Sequence, residues 1–100
     1  MVDSKKRERG GRGPLEIERV QTGVRMEKRI LKVLKALAEL HDMSLGDLLE
    51  GIVLHAFEGK APFGAKTLGQ VAELKRIYGL DLDAAASHNL REASRRAAPR

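Results

Sequence analysis

The chain has no cysteine and no tryptophan, and only two phenylalanines and one tyrosine among its 100 residues. Missing thiols exclude disulfides, zinc–thiolate sites and cysteine nucleophiles. Scarce rings leave a core built from Leu, Ile, Val and Ala. No apolar run approaches the roughly 20 residues that cross a bilayer. The charged N-terminus has no apolar stretch behind it, so it does not read as a secretory signal. A soluble cytoplasmic protein is the expectation. No nucleophile stands beside a base, no phosphate loop occurs, and no carboxylate pair stands apart from ordinary helix charges. Neither an enzyme nor a cofactor is expected. His55 with Glu58, and His88 with Glu92, have helical spacing, but each pair offers only two ligands, so no metal site is expected either.

What the chain does have is positive charge: 19 Lys and Arg against 14 Asp and Glu, a net charge of +5 and a pI near 9.9. That balance suits a nucleic acid or an acidic surface as partner. Residues 1–13 concentrate it. Lys5, Lys6, Arg7, Arg9 and Arg12 stand against Asp3 and Glu8, with three glycines between them. This reads as a disordered basic arm, either a solubilising tail or an arm that tracks phosphates.

Val20 to Met26, VQTGVRM, alternates with period two. Val20, Thr22, Val24 and Met26 fall on one side; Gln21, Gly23 and Arg25 fall on the other, with Arg19 just before. Such alternation predicts a half-buried strand. No second strand is legible, and a lone strand leaves its backbone groups unpaired. Pairing with the same strand of a second copy, across a two-fold axis, repairs this. The short central segment Val20–Phe57 supports a dimer independently, because a core so small is commonly completed by oligomerisation.

Helical spacing follows. Residues 27–41 carry Ile30, Leu31, Leu34, Leu37 and Ala38 on one stripe, and Lys28, Lys32 and Lys35 on another. Ser44-Leu45-Gly46-Asp47 resembles a capping box that starts a second helix. That helix reaches about Phe57, with Leu48, Leu49, Ile52, Val53 and Ala56 as its buried face, and Gly59 ends it. Residues 59–66 read as a linker. Thr67-Leu68-Gly69-Gln70 is a second capping box, T-x-x-Q, opening a third helix with Leu68, Val71, Leu74, Ile77 and Tyr78 inward and Gly79 as its stop. Residues 81–96 are a weaker fourth helix, capped by Asp81 or Asp83. The resulting division is a basic arm at 1–13, a central domain at 14–58, a linker at 59–66, a helical extension at 67–96 and a tail at 97–100.

Strand, helix, a turn ending in serine, then helix: VQTGVRM, EKRILKVLKALAEL and HDMSLGDLLEGIVLHAF together resemble the ribbon-helix-helix family of repressors, the Arc and MetJ type. The punctuation Met43-Ser44-Leu45-Gly46-Asp47-Leu48-Leu49 carries part of the likeness. The resemblance covers residues 19 to about 57 and nothing beyond. It implies a mainly α protein: a ribbon-helix-helix dimer with an intermolecular two-stranded antiparallel ribbon, here with additional C-terminal helices. It also implies that the ribbon lies in the DNA major groove. The base-facing positions are then Gln21, Gly23 and Arg25. Arg25 suits guanine and Gln21 suits adenine; Gly23 departs from the pattern, having no side chain to read a base. Backbone contacts fall to Arg19, Lys28 and Arg29, to Ser44 with the amides of Leu45 and Gly46 at the second helix N-terminus, and to Lys5, Lys6 and Arg7 of the arm.

The function expected is therefore that of a dimeric DNA-binding transcriptional regulator, with double-stranded DNA as partner and higher-order assembly on DNA open. The alternative is an antitoxin-like interaction module whose segment 67–96 clasps a protein. A C-terminal segment packed on the core favours the regulator; one that folds only with a partner favours the module.

Overall fold

The computed structural model describes residues 14–93; the arm expected over 1–13 and the tail at 97–100 lie outside them. Three helices follow one another: α1 (Lys28–Leu40), α2 (Leu45–Phe57) and α3 (Ala65–Tyr78). Among the described residues one 3₁₀ turn, Ala84–Ala86, comes after them. α1 lies in the middle and packs against both α2 and α3.

The expected ribbon-helix-helix dimer, with its intermolecular two-stranded ribbon, is not the fold found. No strand forms among the described residues, and Val20–Met26 runs as irregular chain with every residue exposed. The physical reason is the one that made the strand problematic at the outset. Period-two alternation specifies two faces but no partner, and an unpaired segment has no ladder to join.

α1 begins at Glu27, whose carboxylate accepts the amides of Arg29 at 2.8 Å and Ile30 at 2.9 Å. It ends in a Schellman turn. Met43 N donates to the Ala38 carbonyl and Asp42 N to that of Glu39, with Asp42 in the left-handed region at φ 56°. α2 is capped as expected by Ser44, whose Oγ accepts from Asp47 N at 3.1 Å. Gly59, at φ 70°, closes it in a second Schellman turn. In that conformation glycine avoids the Cβ penalty.

The T-x-x-Q box does not cap α3. The helix starts two residues earlier, behind Gly64, whose carbonyl receives Leu68 N at 2.9 Å. Gln70 is engaged elsewhere: its Oε1 lies 2.7 Å from Nε2 of His41, the residue that follows α1. The fourth helix expected over 81–96 is also corrected: over its described part, 81–93, it is only the turn at Ala84–Ala86, which Asp83 caps by accepting from Ala85 N, and 94–96 lie outside the described residues. Ser87 leaves helical geometry and His88 takes φ 67°. Three alanines offer no apolar stripe to bury, and short helices depend on such packing.

The core is Leu37, Ala38 and Leu48, surrounded by Leu34, Ile52, Phe63, Val71 and Leu74. Phe63 comes from the segment read as a linker, so that loop closes the core rather than merely crossing it. Val33 is buried although the sequence stripe omitted it. Val53 and Ala56 of α2, and Leu68, Ile77 and Tyr78 of α3, are exposed against expectation. α2 is therefore apolar on two sides. Leu48 and Ile52 face α1, while Val53, Leu54 and Phe57 share the opposite side and face solvent.

Candidate nucleic-acid interface

Of the residues expected to meet DNA, Arg25, Lys28 and Arg29 gather around the start of α1. Glu27 sets this junction. Its main chain is extended (ψ 135°) and its side chain caps the helix behind it, so the preceding segment leaves α1 abruptly. The amide of Ile30, then the guanidinium of Arg29, hold the Glu27 carboxyl below the usual carboxylate range.

Gln21 and Gly23 lie exposed on the irregular segment. A Cβ built at Gly23 meets nothing within 4 Å, and its φ is not in the left-handed region. Neither crowding nor backbone conformation requires glycine there. Arg25 is exposed too, but it is paired: its guanidinium grips the Glu92 carboxylate, with Nε 3.0 Å from Oε1 and Nη2 on Oε2. That contact holds Glu92 below its usual range.

Arg19 folds back over the first turns of α2. Its Nη2 reaches Glu50 at 2.8 Å and Asp47 at 3.1 Å, and its Nε reaches Glu50 at 2.9 Å. Hydrogen bonding and charge from Arg19 keep the Glu50 carboxyl low. Arg19 thus pins the irregular segment to α2. Asp47 of the expected capping box spends its carboxylate on this arginine, while its amide donates to the Ser44 Oγ. The amides of Leu45 and Gly46 belong to the open first turn beside it. Arg29 is held from three directions: by Glu27, by the Gly79 carbonyl at 3.0 Å and by Asp81 at 3.1 Å. It ties the start of α1 to the end of α3.

Lys28 is exposed and outside the ion pairs of the described residues. Lys32 and Lys35 extend the same stripe, and Lys32 Nζ lies 5.9 Å from the Tyr78 ring centroid. Lys5, Lys6 and Arg7 lie outside the described residues. The structure therefore brings Arg25, Lys28 and Arg29 together at one end of α1. Arg19 and Ser44 stand apart from them, at the start of α2.

The partners of these arginines were not visible in the sequence. Arg19 reaches across 31 residues, Arg29 across 52 and Arg25 across 67. For Arg29 and Arg25 the one signal in the sequence was the presence of Asp81 and Glu92 in the segment after α3; for Arg19 there was none. A separate cleft of about 210 Å³ lies between α1, α2 and the loop before α3, lined by Leu37, His41, Leu48, His55 and Phe63. Among the described residues no three His, Asp or Glu side chains gather as a metal site. No helix is long and apolar enough to cross a membrane. No family model matches the chain, and no curated protein or solved structure matches it.

Proposed function

We propose that this chain is a DNA-binding protein that acts as a homodimer and regulates transcription as a repressor. The observation that carries the reading is the exposed segment Pro14–Met26 set against the basic start of α1. Gln21 and Arg25 are four residues apart. In extended chain that is about 13 Å, close to the rise of four base pairs. Both side chains suit base edges in the major groove. Lys28 and Arg29 stand where flanking phosphates would pass, and Lys32 and Lys35 continue the positive stripe. The open turn at Ser44, Leu45 and Gly46 adds backbone amides of the kind that hold phosphate.

The dimer rests on a different feature. Val53, Leu54 and Phe57 leave 43%, 62% and 81% of their surfaces in water on one side of α2. A helix apolar on two sides is normally covered on both. The regulator is favoured over an antitoxin-like module because α3 packs on the core through Val71 and Leu74, which makes the start of the C-terminal extension part of the fold.

Selection of sites from random duplex DNA tests the reading, followed by Arg25→Ala and Gln21→Ala on the selected site. Each variant is expected to lose about tenfold in affinity for that site and little for random duplex. Affinity unchanged in both variants refutes it.

A further inference from the structure

The arginine best placed to read a base is occupied by the chain's own carboxylate. Arg25 holds Glu92 through two guanidinium nitrogens. Arg29, one turn further on, holds Asp81. Both carboxylates belong to one segment. It leaves α3 through Gly79 in the left-handed region (φ 67°) and returns across the start of α1.

The two arginines are held differently. Arg29 is partly buried and has three partners, two of them outside this segment's acidic side chains. It marks a fixed hinge. Arg25 and Glu92 are 82% and 60% exposed and, among the described residues, pair only with each other. Between hinge and tip no residue from 79 to 93 is buried, and only Leu80, Leu82 and Ala86 are half-buried. The tip does not seal against the chain it crosses: a groove of about 770 Å³ remains beside Val24, Met26 and Leu90. A segment held at one end by a weak, salt-screened pair is readily displaced by a denser array of negative charge.

We propose that residues 79–92 form an acidic strap, hinged at Gly79 and latched by Glu92 on Arg25, which competes with DNA phosphate and base edges for that arginine. The inference rests on the DNA reading above and states how that surface is regulated. The strap lowers affinity for every duplex and leaves binding to sites that outbid the latch.

The test is Glu92→Gln in the full chain, with Glu39→Gln as control. Glu39 is exposed on α1 and makes no ion pair among the described residues, so both variants change the net charge equally. At ~50 mM salt Glu92→Gln is expected to bind duplex about fivefold more tightly than the parent, Glu39→Gln much less so, with the gain fading as salt rises. In an Arg25→Ala background the gain should vanish. Equal gains from the two variants, or a gain that survives Arg25→Ala, overturn the latch. A second readout needs no DNA: the Arg25 Nε–H nuclear magnetic resonance signal should move with Glu92→Gln and stay with Glu39→Gln. A signal indifferent to Glu92 overturns the latch by itself. A signal that responds, in a protein that binds no duplex with or without Glu92, overturns the DNA reading and leaves the contact standing.

Discussion

Replacing Phe57 by serine tests the homodimer at its most exposed apolar side chain. Phe57 is the last residue of α2, and 81% of its surface is in water. In a single chain it packs against almost nothing, so its removal costs the fold little. In a dimer the account changes. Phenylalanine presents about 200 Å². Four-fifths of that, removed from water at about 25 cal/mol per Å², is worth about 4 kcal/mol. A partner that covers half of it contributes about 2 kcal/mol per protomer, or about 4 across a two-fold axis, which is near three decades in the dimer constant. Val53 and Leu54 lie on the same side and add to this figure. The assay is denaturant unfolding at two protein concentrations, with sedimentation alongside. For the parent chain the midpoint should rise with concentration, since association stabilises by mass action. For Phe57→Ser the midpoint should fall, and its concentration dependence should weaken. A parent that sediments as a monomer at about 100 μM, with a midpoint shared by the variant at both concentrations, refutes the reasoning.

Two further outcomes follow from the local geometry. Asp42 closes α1 in the left-handed region at φ 56°; glycine removes the Cβ strain there, so Asp42→Gly should stabilise by about 0.5–1 kcal/mol in thermal unfolding, and a destabilised variant would show that the side chain matters more than the backbone. Stability should also fall in acid. The carboxyls of Glu27, Glu50 and Glu92 sit below the usual value near 4.5, held by the Ile30 amide, by Arg19 and by Arg25 respectively. A depressed folded pKa gives stability that is present above the unfolded value and lost as pH falls through the folded one. The melting temperature should be level from neutrality to about pH 5 and decline below it. Glu27→Gln should make that decline shallower, and an unchanged acid limb would remove Glu27 from the account.

What was legible in the sequence followed the local rules. The three-and-four spacing of Leu34, Leu37 and Ala38 located α1, and Ser44 located the start of α2, because a helix stripe and a cap are encoded within one or two turns. The failures came where a distant group competed for a side chain. Gln70 matched a capping box, but His41 at the end of α1 holds it. Asp47 stood at the capping-box position, but Arg19 holds its carboxylate. The strand at Val20–Met26 was read from alternation, which describes side-chain faces and says nothing of a backbone partner. Phe63 sat among Gly, Pro and Lys, and nothing in its own segment showed that it would fold onto Leu37 and Leu48.

The candidate site shows the same division more sharply. Residue type nominated Gln21, Arg25, Lys28 and Arg29 as polar groups near one helix start, and proximity in the sequence keeps three of them together. Residue type did not show that Arg25 and Arg29 arrive already paired, because Glu92 and Asp81 are brought to them only when α3 has packed on α1. That packing rests on Val71 and Leu74 against the core around Leu37. Partial burial of the two side chains contributes about 2 kcal/mol together, whereas an exposed ion pair contributes under about 1 kcal/mol. The apolar contacts therefore decide where the acidic segment goes, and the ion pairs only decide which arginine it touches on arrival. Loosening α3 should accordingly release both arginines together, whereas breaking one ion pair should leave α3 in place.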